Sequence, residues 1–216
     1  MNGRRTQLLG VAAFAITSVH AAVLDRIAVT VGRRVITESA VVRDVRVAAF
    51  LDKKPVVLTG ATKRAAADRL VDQLLILDEA AFSHLTLPSE ADSAAMLSDV
   101  KRSYPGPQPY QDGLKAYGIT EQDVAQHLLA GLRTLRFTDL RFRPEVQISE
   151  DDLHDYYSFL VKQWRGKNQE NIPTFEAARS DVEQMVTNER VMQALDRWLG
   201  TARTSTEIVY REEAFQ

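Results

Sequence analysis

Residues 25–50 read DRIAVTVGRRVITESAVVRDVRVAAF, and the rest of the chain is arranged around how this stretch folds. Ile27, Val29 and Val31 alternate with Arg26, Ala28 and Thr30, the period-two pattern of a strand with one buried face. Gly32-Arg33 supplies a two-residue turn of the Gly-X kind, and Val35-Ile36 returns as a short second strand. Thr37 is placed to accept the first free N–H groups of a helix, with Glu38 near its positive end. Val41, Val45 and Ala48 follow at helical spacing. A hairpin running straight into a helix is the expected start of the fold.

Leu51 to Thr59 is a connector containing Pro55. Thr62 then reads as the N-cap of a long helix to about His84, with Ala67, Leu70, Leu74, Leu77 and Ala81 on one stripe. Pro88 and Ser89 break that helix and start another, about Glu90 to Ser103, which turns Ala94, Leu97 and Val100 inward. Tyr104 to Gln108 reads as a loop, followed by Tyr110, Leu114 and Tyr117 at helical spacing. Gly118 suits a left-handed C-cap, and Thr120 with Asp123 a capping box. The helix from Glu121 to about Arg141 is expected to bury Val124, Leu128, Leu132 and Leu135. Arg133, Arg136, Arg141 and Arg143 gather toward its end, as a solvated cluster matched to the helix dipole or, alternatively, an anion site. Ser149 and Asp152 open a further helix carrying Leu153, Tyr157, Leu160 and Trp164. Residues 165–173, RGKNQENIP, form a loop. A last long helix runs from Thr174 to about Leu199, with Phe175, Ala178, Val182, Met185, Met192 and Leu199 on its apolar stripe. Glu207 to Tyr210 then reads as a short strand.

Several of these segments share their wording with one family. The opening hairpin and "ITES", RLVDQLLILDEA in the second helix, LTLPSE after it, YQDGLKAYGITEQDV and ISEDDLHDYY resemble periplasmic chaperones of the SurA and PrsA kind, relatives of the parvulin prolyl isomerases. TFEAARSDVEQMV and the Trp198-Leu199 pair resemble that family's closing helix. The resemblance implies a mainly α fold of about six helices with a small β-sheet, the N-terminal hairpin being completed by the C-terminal strand. In such chaperones an isomerase domain is inserted after the segment corresponding to ISEDDLHDYY. A parvulin domain needs roughly ninety residues, in the range of a small domain, and only the 165–173 loop stands there. The expectation is therefore a single SurA-like domain over 22–216 (22–164, the 165–173 loop, and 174–216), with no catalytic position and no prolyl isomerase activity.

Composition narrows the function classes. The 216 residues are 45% hydrophobic and 26% charged, ordinary for a globular protein with a sizeable core. A net charge of -2 gives no case for nucleic acid, and 0 cysteines leaves no disulfide, thiol nucleophile or thiolate metal site. Residues 1–21 read as a signal peptide: Arg4-Arg5, an apolar run from Leu8 to Val19, and Val19-His20-Ala21 before a cut at Ala22. That run is shorter than the ~20 residues of a spanning helix, the alternative being an uncleaved anchor. Export to the periplasm follows. Of the four histidines, His20 falls in the leader, His84 sits near a helix end, and His127 has no i+4 partner for a metal. His154 is flanked by Asp151, Asp152 and Asp155, which point in different directions on a helix. No hydrolase elbow, zinc-protease, P-loop or dinucleotide motif occurs, so no cofactor, metal or enzymatic activity is expected.

The binding expectation rests on aromatic residues concentrated in the middle of the chain. Tyr104, Tyr110, Tyr117, Phe137, Phe142, Tyr156, Tyr157 and Trp164 offer large contact areas with few torsions to order, suiting grooves that hold unfolded segments. The same residues also suit a core. The first functional reading is an ATP-independent periplasmic chaperone that binds unfolded or extended envelope polypeptides. The second is a dedicated single-partner or domain-swapped dimer protein of the envelope, the homodimer joined through its terminal strands. An isomerase with an unfamiliar site is the third.

Overall fold

The computed structural model describes residues 25–167 and 171–216. The leader reading at 1–21 lies outside the described residues. The fold is mainly α with a small β-sheet. Two strands, β1 (Ile27–Val31) and β2 (Arg34–Thr37), lead into α1 (Glu38–Leu51), α2 (Gly60–Phe82), α3 (Glu90–Arg102) and α4 (Pro107–Tyr117). Next come α5 (Glu121–Phe142), α6 (Glu150–Gly166), α7 (Phe175–Ser205) and the strand β3 (Ile208–Tyr210). Seven α-helices thus stand among the described residues, α4 being the short one that the Tyr110–Tyr117 spacing indicated.

The sheet is antiparallel, in the order β2-β1-β3. Gly32 takes a φ of +54° at the hairpin turn, a left-handed backbone that glycine adopts without a Cβ clash. Thr30 pairs with Val35 on one side and with Val209 on the other, so the two ends of the described chain close on one central strand. The strict alternation expected for β1 does not hold. The register shifts between Ile27 and Val29, which leaves Ile27 42% exposed and buries Ala28 and Val29 together.

Helix starts follow side-chain caps. The Thr37 hydroxyl accepts from the Ala40 N–H, and Ser149 and Thr120 form reciprocal boxes with Asp152 and Asp123. At α2 the cap is Thr59, not Thr62. Thr62 is the inner partner of the box, its hydroxyl accepting from the Thr59 N–H at 2.9 Å, so the helix begins three residues earlier. Gly118 ends α4 with a φ of +64°.

Four buried clusters make up the interior of the described residues. The first joins the sheet to α1, α2 and Phe215, and the second joins the end of α1 to α4 and the start of α5. The third lies between the C-terminal halves of α2, α5 and α7, and the fourth fills the α6–α7 pair. Several predicted stripes are rotated against these clusters. In α2 the fully buried row is Ala67, Val71 and Leu75, with Leu70 and Leu74 beside it and Ala81 exposed. In α5 Phe137 is buried while Leu135 is 62% exposed, and in α7 Val186, Val191 and Leu195 are inside while Met185 and Met192 face outward. In α3 the buried position is Ser93; Ala94 is exposed, and Leu97 and Val100 are half-buried.

Candidate functional site

A cleft of about 290 Å³ opens where α1, α2 and α5 meet. Its apolar wall comes from Ala40 and Val47 on α1, Leu70 and Leu77 on α2, and Ala130 on α5. Its polar rim comes from Arg43, Gln73, Gln126, His127 and Arg133. The size is near the lower end of small-molecule and short-peptide pockets.

Asp44 organises this junction. Helical spacing places it on the same face as Val41 and Val47, so packing that face carries the carboxylate inward to 7% exposure. Oδ2 accepts from Arg69 Nη2 of α2 at 2.6 Å, and Oδ1 lies 3.0 Å from His127 Nδ1 of α5. Burial opposes the charged form. The hydrogen bond from His127 and the charges of Arg69 and His127 outweigh it, and the carboxyl titrates below the usual range. An ionised carboxylate only accepts, so His127 presents Nδ1–H to it and keeps Nε2 as its second polar atom. The rim is held the same way: Arg43 pairs with Asp123 at 3.2 Å, and Arg133 donates to the Pro88 carbonyl at 2.9 Å.

The lining contains no hydroxyl or thiol beside the Asp44–His127 pair. Among the described residues no three His, Cys, Asp or Glu side chains gather as metal ligands do. His154, flanked by aspartates in sequence, stacks on Phe175 with ring centroids 3.9 Å apart. The arginines closing α5 are largely tied down: Arg141 to Glu145 at 2.6 Å and Arg143 to Asp139 at 2.8 Å. What the junction offers is a pre-shaped, partly apolar trough with fixed donors and acceptors along its edge.

The eight aromatic positions expected to bind peptide do not form one surface. Tyr104, Tyr110 and Tyr117 gather with Phe50 in the second cluster. Phe137 and Phe142 pack on Trp198 in the third, fully in the core, because α5 turns its C-terminal half against α7. Tyr156 and Tyr157 belong to the α6–α7 cluster, and Trp164 is half-buried near the end of α6. Tyr104, Tyr117, Tyr156, Tyr157 and Trp164 keep part of their surface in solvent; Tyr110, Phe137 and Phe142 do not. The residues that sequence reading passed over are Asp44 and Arg69. The available signal was an aspartate within an otherwise apolar helical row.

No helix among the described residues is long and apolar enough to cross a membrane. The chain matches no protein-family model and no curated protein.

Proposed function

We propose that this chain is an exported, ATP-independent polypeptide-holding protein, similar to the SurA-type chaperones but without an isomerase module. It would bind extended segments of unfolded envelope proteins in the periplasm. The observation that carries this reading is the central cleft: an open trough with an apolar wall and a rim of fixed arginine, glutamine and histidine side chains. A trough of this kind shelters an apolar side chain while its rim satisfies the neighbouring backbone, as weak and sequence-tolerant capture requires. The closure of the hairpin by β3 and the direct passage from α6 to α7 support the same reading, since both belong to the element order that the resemblance implies. Exposed apolar side chains elsewhere on the helices, Phe82 and Phe159 among them, add weak contact area.

The test is aggregation of a urea-unfolded outer-membrane protein after dilution, followed by light scattering without nucleotide. The purified chain should delay aggregation at near-stoichiometric ratios and leave a proline-limited refolding reaction unaccelerated. No delay at several-fold excess would overturn the reading. A second reading, the single-partner or strand-swapped dimer protein, draws on β2 and β3 both being sheet edges. It predicts a concentration-dependent dimer in light scattering and capture of one envelope protein rather than many.

A further inference from the structure

Arg133 is the one cation bordering the central cleft with no carboxylate to pair with among the described residues. Arg43 pairs with Asp123, and Arg69, behind the lining, shares Asp44 with His127. Arg133 is half-buried, and its Nε–H donates to the Pro88 carbonyl at 2.9 Å, a neutral partner. That contact holds the side chain and leaves the Nη1–Nη2 end of the fork unclaimed, an end that grips a carboxylate through two parallel bonds. A half-buried guanidinium has lost part of its hydration, so an anion brought to it gains more than it would in water.

The acids around it are committed elsewhere. On α5, Asp123 and the His127 contact with Asp44 lie ten and six residues back, about 15 and 9 Å along the axis. Glu90 accepts from Gln126 Nε2 at 2.9 Å and Asp92 from the Ser89 N–H at 2.7 Å. On α2, Asp72 and Asp78 pair with Arg203 and Arg34. Arg136, one turn further along α5, is exposed and adds a positive charge. This end of the cleft is therefore positive and selects an anion.

A second hollow adjoins it. Ile76, Leu77, Ala130 and Thr134 enclose about 40 Å³ against Gln73 and Arg133, and four of these six residues also line the cleft. The Thr134 hydroxyl donates to the Ala130 carbonyl at 3.1 Å, which leaves the walls mostly apolar. One water-sized sphere takes roughly 10–15 Å³ of such space, so a group of valine size fits and an indole does not. The occupant thus carries an acid and a small apolar group side by side. In the last residue of a polypeptide both hang from one carbon. An internal acidic residue would have to borrow its apolar group from a neighbour about 7 Å along the strand.

We propose that the Arg133 end of the central cleft captures the C-terminal residue of an extended polypeptide. The carboxylate sits on the Arg133 fork, the small apolar side chain enters the adjoining hollow, and the preceding backbone runs along the trough toward Gln126 and Arg43. This assignment rests on the polypeptide-holding reading above and gives that site a direction and a preference for a chain end.

The probe is a peptide of uncharged residues, fluorescently labelled at its N-terminus and ending in valine with a free carboxylate; binding to the full chain is read by anisotropy. Amidating that end should weaken binding by about tenfold or more, the worth of a charge-assisted two-bond contact. Arg133→Gln should bind acid and amide alike, and Arg133→Lys should keep part of the preference, having the charge without the fork. Arg197→Gln, which removes an exposed arginine of α7 outside the cleft, should keep all of it. A terminal tryptophan in place of valine should weaken binding by about fivefold or more. The peptide comparisons are made on the wild-type chain, so they stand whether or not Arg133→Gln folds. Equal affinity for acid and amide, a preference that survives in a folded Arg133→Gln, a tryptophan end bound as well as valine, or an amidated peptide with an internal glutamate bound as well as the free acid would overturn the assignment. Aggregation assays separate the two readings. A wild-type chain that holds the unfolded client without preferring the free end loses only this assignment; one that neither binds the peptide nor holds the client loses the broader reading as well.

Discussion

Removing the Asp44 carboxylate tests whether the three-helix junction is built as described. Asp44→Ala deletes the acceptor shared by Arg69 and His127. Two charge-assisted contacts are lost, each of the ~1.5–3 kcal/mol class, but the loss is not their sum. The Arg69 side chain is 47% exposed, so its released guanidinium returns to water at little cost, and the desolvation of the carboxylate disappears with it. A net destabilisation of about 2–3 kcal/mol is expected, or a drop of about 1 M in the urea midpoint for a slope near 2 kcal/mol/M. His127→Ala alone should cost about 1 kcal/mol, and the double variant less than the sum of the two, since they share one contact.

The pH dependence fixes the sign. The folded-state pKa of Asp44 lies below its unfolded value. The folded state thus binds fewer protons, and the contribution is fully present above the unfolded pKa of ~3.9. It fades as pH falls through the lower, folded value. The difference between the wild-type chain and Asp44→Ala should be flat near neutrality and shrink below about pH 4. A penalty under about 0.5 kcal/mol, strict additivity with His127→Ala, or a difference that grows in acid would refute the reasoning.

Glycine substitutions read the packing directly. A Cβ at Gly60 would lie 2.7 Å from the Phe215 carbonyl oxygen, so Gly60→Ala should destabilise by about 1–3 kcal/mol despite alanine's better helix propensity. Gly131→Ala and Gly200→Ala, with nothing within 4 Å, should each stabilise by about 0.5–1 kcal/mol in thermal melts. Truncation before Ile208 strips β1 of one of its two partners and removes Phe215 from the first cluster. That loss is comparable with the net stability of a domain, ~5–15 kcal/mol, and the shortened chain should lose its cooperative melt. Phe137→Ala, a fully buried side chain, should cost about 3–5 kcal/mol, and Leu135→Ser under about 0.5, both read from urea midpoints.

The boundaries of the elements were legible because their signals are local. Thr37, Thr120, Ser149 and Thr174 each cap the helix they precede, using atoms no more than three residues away. Thr59 escaped because two threonines three residues apart exchange hydrogen bonds, and the inner one looks equally able to start the helix. The buried faces were less legible. α2 is covered by the sheet, α5 and α7, so apolar residues surround much of it and two adjacent rows compete as the inward one. Met185 and Met192 satisfy the spacing of α7, but α5 and α6 approach it from the side of Val182, Val186 and Val191. Asp44 was invisible as a site because its partners come from helices 25 and 83 residues away, a pairing that no helical period encodes.

These long-range partners explain why clefts occur where they do. The interior is divided into four clusters, and the central cleft lies where the first three approach one another. Ala40 and Leu70 lean on the sheet cluster, Val47 belongs to the aromatic one, and Leu77 follows Ile76 of the α5–α7 one. A continuous apolar core would close this seam and gain the burial. Here a charged residue occupies it, and ionic contacts substitute for packing, which keeps three helices in register without letting them collapse together. The same substitution makes a rigid trough possible. It also gives a sharp discriminator: Asp44→Leu with Arg69→Met would fill the seam, stabilise the fold or leave it unchanged, and abolish client holding if the trough is what holds the client. A variant that is stable and still delays aggregation as well as the wild-type chain would show that the seam is only a way of joining helices.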